Sequence, residues 1–310
     1  MKLLITGGNG LVGKAIQDVL KNSDYTLLIP SSRECNLENK YETQDYFKRN
    51  TPDLVIHLAA NVGGLYKNMN EKVQMLERNV KINMNVLKCA HEFGVKKVIS
   101  CLSTCIFPNK TTYPIHERML HDGPPHCSND AYAYAKRLLE IQSQAYNQQY
   151  GTNFVCVIPT NIYGPHDNFS LEDGHVIPSL IHKCFLAKQK GEPFVIRGTG
   201  KPLRQFIYSA DLAKLILWVL EHYTDRDSII LSVSEADEVS IRQVGEEIAK
   251  NLDYFDHIQF DSQFSDGQYK KTADNSKLKN LLPHFEFTPL PVGVEKTVSW
   301  FIDNYESCRK

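Results

Sequence analysis

The sequence predicts an α/β protein built on a doubly wound parallel sheet, with a smaller α/β domain in its C-terminal part. Three observations carry this. Short, two-sided apolar runs rich in β-branched residues alternate with helical patterns through the first half. A glycine cluster stands between the first such run and the first helical pattern. Beyond about Gly164 the alternation gives way to the polar, turn-rich stretch Gly164–Gly174 and then to a sparser mixture of elements.

Taken in order, Lys2–Thr6 reads as a buried strand and Leu11–Lys21 as a helix with Val12, Ile16, Val19 and Leu20 on one face. Tyr25–Pro30 is the second strand, Tyr41–Asn50 a helix and Asp53–Leu58 the third strand. A long helix runs from about Asn70 to Phe93, where Gly94 stops it. Val95–Leu102 is a strand, Ala131–Tyr150 a helix closed by Gly151, and Asn153–Pro159 another strand. The second half offers a helix near Pro178–Lys190 and short strands around Phe194–Ile196 and Gln205–Tyr208. It continues with a helix Asp211–His222, a strand Ile229–Ser234, a helix Ile241–Leu252 and a last helix Pro291–Tyr305. This predicts one domain at residues 1–165 plus about 203–234, and a second at about 166–202 plus 235–310.

Composition narrows the class. With 310 residues, 42% hydrophobic and 23% charged, the chain is of ordinary globular make-up and long enough for a sizeable core. Lys+Arg 35 against Asp+Glu 36 leaves a net charge of −1, which argues against a nucleic-acid or membrane-surface binder driven by bulk charge. The apolar run Leu3–Leu4–Ile5 is too short for a signal peptide, and no stretch approaches the length of a membrane span. The eight cysteines are scattered, and their spacing gives neither a disulfide framework nor a metal site. A reducing cytoplasm is the expected location.

The glycine cluster is Gly7-Gly8-Asn9-Gly10-Leu11-Val12-Gly13. Gly8-x-Gly10-x-x-Gly13 fits the dinucleotide fingerprint of a Rossmann domain. A tight turn without Cβ lets backbone approach a pyrophosphate, and the helix N-terminus offers unpaired N–H groups with a positive dipole end. Cofactor choice is read at the end of the second strand, Pro30-Ser31-Ser32-Arg33-Glu34. Two hydroxyls and the Arg33 guanidinium suit a 2′-phosphate, so NADP(H) is favoured. Glu34 is the competing reading: were the strand to end later, its carboxylate would take the ribose hydroxyls of NAD.

Tyr132 and Lys136 are four residues apart and share a helix face, whereas Tyr134 and Lys136 do not. An ammonium beside a phenol favours the phenolate, so Tyr132 is the candidate acid, supported by Lys136. Ser103-Thr104 at a strand end completes the set.

With these motifs in place the sequence resembles the extended short-chain dehydrogenase/reductases, which act on nucleotide-sugars. The matches span nearly the whole chain: the glycine loop, His57-Leu58-Ala59-Ala60, Ser103, Tyr132 with Lys136, and Arg204-Gln205-Phe206-Ile207-Tyr208 followed by Asp211. Within that group it is similar to the branch that epimerises and then reduces a GDP-bound 4-keto-6-deoxy sugar. Ser103–Pro108, Pro159–Phe169 and Gly174–Pro178 carry that likeness, the second and third runs being specific to the branch.

The resemblance implies an NADP-binding first domain and a GDP-sugar-binding second domain. It implies that Cys105 is the base and His175 the acid for inversion at C3 and C5. Ser103 and Tyr132 would bond the C4 carbonyl oxygen, and Tyr132 would protonate it during reduction. Either residue type alone would be unremarkable, a free Cys being usually buried and inert and a loop His usually a surface residue. Gly7, Gly10, Leu11, Val12, Gly13, Arg33, Ala59, Ala60, Leu102, Lys136, Pro159, Asn161 and Ile162 would line the cofactor. Lys183, Arg204 and Asp266 would hold the GDP-sugar, with Arg197 where the family commonly has Trp. A homodimer through the helices near Asn70–Phe93 and Ala131–Tyr150 is implied as well. The nearest alternative is another nucleotide-sugar epimerase or dehydratase of the same family. A 4-epimerase needs no acid/base pair for C3 and C5, and a dehydratase usually carries carboxylates where Cys105-Ile106 stand. A non-catalytic NADP sensor would have no need of Tyr132 and Lys136.

Overall fold

A computed structural model of the chain describes residues 1–264, 266 and 268–310, with Leu65 and Tyr66 described by their backbone alone. The elements run β1 (Lys2–Thr6), α1 (Leu11–Val19), β2 (Thr26–Leu28), α2 (Lys40–Asn50), β3 (Leu54–His57), α3 (Leu65–Asn70) and α4 (Lys72–Glu92). Then come β4 (Lys97–Cys101), α5 (Asp130–Tyr150), β5 (Phe154–Pro159), β6 (Asn161–Tyr163), α6 (Val176–Lys190), β7 (Phe194–Arg197), β8 (Leu203–Arg204) and β9 (Phe206–Tyr208). The chain closes with α7 (Ser209–His222), β10 (Ile229–Leu231), β11 (Val239–Ser240), α8 (Ile241–Asn251), β12 (Ile258–Asp261), α9 (Ser276–Leu281) and α10 (Leu290–Asp303).

By contacts the chain divides into two units, Met1–Thr111 with Glu117–Pro159 and Leu212–Leu231, and Thr112–His116 with Thr160–Asp211 and Ser232–Lys310. The first contains a six-stranded sheet in the order β2-β1-β3-β4-β5-β10, parallel throughout. Strand order reverses between β1 and β3, and in such sheets ligands bind outside the carboxyl ends of the strands at this switch. Leu4, Ile5, Val55, Ile56, Val98, Ile99, Val155 and Val157 are completely buried in the sheet. Each contributes about 1.5–3 kcal/mol by leaving water, which is why these runs read as continuous apolar strands.

The second unit has no large sheet among its described residues. β6 pairs with β9 and β7 with β12, both parallel, while β8 pairs antiparallel with β11. Its core gathers Tyr163, Phe169, Ile181, Phe194, Phe206, Val294 and Phe301 between α6, α8 and α10. Gln205 lies fully buried and acts as a clamp. Its Nε2 donates to the carbonyls of Val233 and Ala273, and its Oε1 accepts from the Ala273 N–H.

The helix expected at about 70–93 is α4, and the short α3 stands just before it. Glu71 leaves helical geometry at φ −115°, ψ 41°, closing α3 on the Lys67 carbonyl while its own carbonyl opens α4. No glycine or proline marks that break. The division by contacts falls at Pro159 and Asp211 instead of near 165 and 203, because the β6·β9 pairing keeps 160–211 together. α3, β6, β8, β11, β12 and α9 had no counterpart in the sequence reading, being too short to show a period.

Candidate active site

The glycine loop joins β1 to α1 in a tight turn. Gly7 has φ +68°, and a Cβ there would lie 2.7 Å from the Ala59 backbone nitrogen, so only glycine fits. A Cβ on Gly13 would collide with the Gly8 backbone, so its absence lets α1 close on the turn. Gln17 fixes the turn by donating to the carbonyls of Gly8 (2.6 Å) and Gly13 (3.0 Å). A Cβ at Gly10, by contrast, would meet only the Gly7 oxygen at 3.3 Å. Gly10 opens α1 with no side-chain cap and no acidic residue in the first turn, so the N–H groups around Leu11, Val12 and Gly13 form an anion cradle that fits a pyrophosphate.

At the end of β2, the Glu34 carboxylate accepts the Ser31 N–H at 2.7 Å, and that bond lowers its pKa. Its acid is thus committed to its own turn, while Arg33 is exposed. The end of β3 is tied to the loop by a buried chain. Ala59 N–H donates to Thr6 Oγ1 at 3.3 Å, and Thr6 Oγ1 lies 2.7 Å from His57 Nδ1. His57 Nε2 lies 3.0 Å from Asn83 Oδ1 of α4. Burial and then the Lys136 charge lower the His57 pKa to about 3, so the ring is neutral and structural. Ala60 stands half-buried beside it.

The carboxyl end of β4 collects the chemical groups. Leu102 N–H donates to the Val157 carbonyl at 2.8 Å, continuing the sheet to Ser103. Ser103 starts a 3-10 turn, Thr104–Ile106, and its Oγ accepts from the Cys105 N–H at 3.5 Å. Lys136 is buried on α5, where its Nζ donates to the Cys101 carbonyl at 2.8 Å and lies 5.8 Å from the centre of the Tyr132 ring. Burial lowers the Lys136 pKa, opposed by Cys101, Cys105 and Cys156. The Tyr132 phenol is pushed well above its usual value by burial, and Cys105 and Cys101 add to this. Burial and the two neighbouring thiols thus favour the protonated phenol, the form that can donate. Ser103, Cys105, Tyr132 and Lys136 are thus brought together within the first unit. Pro159 is buried at the end of β5 in the same unit.

The remaining candidates belong to the second unit. Asn161 is held to the Gln205 carbonyl through both Nδ2 (2.9 Å) and its backbone N–H (3.2 Å), and Ile162 follows it in β6. His175 is the N-cap residue of α6 and makes no cap bond with its side chain. Desolvation and then the Arg309 charge lower its pKa, so the resting imidazole is neutral near pH 7. Lys183 on α6 is lowered by burial and then by repulsion from Arg197, offset only by Asp261. Two such cations in mutual repulsion suit an anionic guest. The Arg197 guanidinium lies 4.6 Å from the centre of the Phe264 ring. Arg204 is already engaged, donating to the carbonyls of Leu203 (2.7 Å), Gln268 (2.7 Å) and Tyr269 (3.4 Å). Asp266 accepts both the Thr199 N–H and the Thr199 hydroxyl at 2.6 Å, so it shapes the Gly198–Gly200 turn. Gln17 and Arg137 were not singled out by sequence; an amide or guanidinium inside a helix gives no spacing signal.

A family model described as NAD dependent epimerase/dehydratase family matches residues 3–233. The chain belongs to this family. Within it the chain is 53% identical over 99% of its length to GDP-L-fucose synthase of Dictyostelium discoideum, of which the match covers 97%. It is 48% identical over its whole length to a probable GDP-L-fucose synthase of Drosophila melanogaster, covering 99% of that protein. A solved GDP-L-fucose synthetase from Naegleria fowleri bound to NADP superposes with a TM-score of 0.96 at 48% identity, covering 100% of this chain and 95% of that one. UDP-glucose 4-epimerase of Thermotoga maritima, at 21% identity and a TM-score of 0.83, shares the fold. The family match spans the glycine loop, Ser103, Cys105, Tyr132 and Lys136. No group of three or more His, Cys, Asp or Glu among the described residues could hold a metal ion.

Proposed function

We propose that the protein converts GDP-4-keto-6-deoxy-D-mannose to GDP-L-fucose by epimerisation at C3 and C5 followed by NADPH-dependent reduction at C4. The observation that carries this reading is the Cys105 thiol standing within electrostatic reach of the Tyr132–Lys136 pair at the end of β4. A plain reductase has no use for a proton-exchanging thiol there. The relatives named GDP-L-fucose synthase and the NADP-bound neighbour support the same substrate and cofactor.

The substrate's C4 carbonyl acidifies the protons on C3 and C5. Ser103 and the protonated Tyr132 phenol hold the carbonyl oxygen and stabilise the enolate as charge develops. Cys105 serves as base and His175 as acid for the two inversions. Gly7, Gly10, Leu11, Val12 and Gly13 would hold NADPH, with Arg33 serving the 2′-phosphate, and the bound cofactor would supply the hydride for C4. Tyr132 then delivers its proton to the C4 oxygen, and Lys136, fixed by the Cys101 carbonyl, supports the phenolate left behind. Lys183, Arg197 and Arg204 serve the diphosphate, and Asp266 shapes the turn that receives the nucleoside.

The protein acts as a homodimer in a reducing cytoplasm. Val73, Leu76 and Met84 on α4 and Tyr134, Leu138 and Ile141 on α5 are exposed at helical spacing on a packed pair of helices, a face that a second copy would bury. All eight cysteines are free, and no described helix is long and apolar enough to cross a membrane. Incubation with GDP-4-keto-6-deoxy-D-mannose and NADPH should yield GDP-L-fucose with one NADPH oxidised per sugar. A product reduced at C4 but not inverted at C3 and C5 would reject the reading.

A further inference from the structure

We propose that Arg137 is a positioning residue for the proton-exchange half of the reaction, holding the turn that presents Cys105 and setting a fixed positive charge beside its sulfur. The inference rests on the function proposed above. Arg137 follows Lys136 on α5 and is only 7% exposed. Its Nε donates to the Ile106 carbonyl at 2.6 Å, and Ile106 closes the short turn Thr104–Ile106 in which Cys105 is the middle residue. Its Nη2 is buried with no hydrogen-bond partner. No carboxylate among the described residues pairs with it. The groups that act on its charge are Tyr134, whose ring centre lies 5.7 Å from the guanidinium carbon, and Cys105.

A guanidinium stays ionised at any pH the protein meets, and burying it without a counter-ion is strongly unfavourable. Such a charge is compensated when an anion forms next to it. The Cys105 thiolate, formed each time the thiol gives up its proton and consumed each time it takes one from carbon, is that anion. The other ionisable groups facing the thiol are Lys136 and the Tyr132 phenol, both also on α5. Lys136 is bonded to the Cys101 carbonyl, on the strand side. Arg137 is bonded to the thiol's own turn, so it couples the position of Cys105 to its charge.

Two variants separate these parts. Arg137→Met keeps the apolar stem and removes charge and donor, whereas Arg137→Lys keeps the charge and loses the Nε contact. In deuterated water with GDP-4-keto-6-deoxy-D-mannose, deuterium entry at C3 and C5 should slow about tenfold or more in Arg137→Met and recover in part in Arg137→Lys. Alkylation of Cys105 by iodoacetamide, followed by peptide mass spectrometry against pH, should shift to higher pH in Arg137→Met, with NADPH affinity unchanged. A merely structural arginine would lower thermal stability and NADPH affinity together and leave the alkylation profile in place. That outcome, or exchange at the wild-type rate in Arg137→Met, overturns the proposal. Should Arg137→Met not fold, undiminished exchange in Arg137→Lys overturns it. Wild-type protein that exchanges nothing rejects the function reading and this inference with it; wild-type exchange with unaffected variants rejects the inference alone.

Discussion

In the first unit Ser103, Cys105, Tyr132 and Lys136 are fixed at the end of a six-stranded sheet, whereas in the second Lys183, Arg197, Arg204 and Asp266 sit on a helix, two-stranded pairs and the turns between them. In the first unit Thr6, His57 and Asn83 form a buried chain that keeps a histidine neutral, while the buried guanidinium of Arg137 keeps Nη2 without a partner. The second unit sets like charges against each other. Lys183 and Arg197 repel each other, and Asp167 is 3% exposed with one carboxylate oxygen unpartnered. The difference is one of support: the first unit's groups rest on one continuous sheet, the second unit's on short strand pairs and turns.

The widest gap between the units should come from Tyr132→Phe. Losing the acid should lower NADPH oxidation by about 10²–10⁴-fold, while GDP binding, proposed above for residues of the second unit, stays near wild type. Steady-state rates and calorimetric titration with GDP check both halves; parallel losses would dissolve the contrast.

Opposite pH responses come next. Burial raises the Asp167 pKa to about 7, countered by the Asn168 N–H and the Arg309 charge. Its folded pKa exceeds its unfolded one, so its contribution favours folding at low pH and is lost as pH rises from about 4 through about 7. Asp167→Asn should therefore stabilise the protein more at pH 8 than at pH 5, by about 2–4 kcal/mol of difference. His57 has the reverse sign: its folded pKa is depressed to about 3, so its contribution is present above pH 6.5 and lost as pH falls toward 3. Denaturation of His57→Gln across pH should show a penalty that shrinks on acidification.

A smaller effect sharpens the same contrast. Lys183→Met removes one of two repelling cations, so KM for the GDP-sugar should rise about ten- to a hundredfold while Tm rises slightly. A fall in Tm would show that Lys183 is a structural group.

Legibility in the sequence followed the same divide. The sheet strands, the glycine loop and the Tyr132–Lys136 spacing are periodic or contiguous, so they could be read directly. The short α3 could not, because six residues are too few to show a helical period. β11 and β12 span two and four residues, too few to carry alternation. The bond from the Ser31 N–H to the Glu34 carboxylate depends on the local turn and could not be read from the sequence. Arg204 and Asp266 were legible as charges but not as the clamps they are, since their partners are backbone groups or residues distant in sequence.

The most direct test is turnover of GDP-4-keto-6-deoxy-D-mannose in deuterated water with NADPH, with the product's carbon positions read by NMR. Solvent deuterium at both C3 and C5, with hydride from NADPH at C4, is the predicted pattern, and Cys105→Ser should lose the solvent label. A reduced product with no deuterium at C3 or C5 would contradict the assignment of paired proton exchange and reduction to this site.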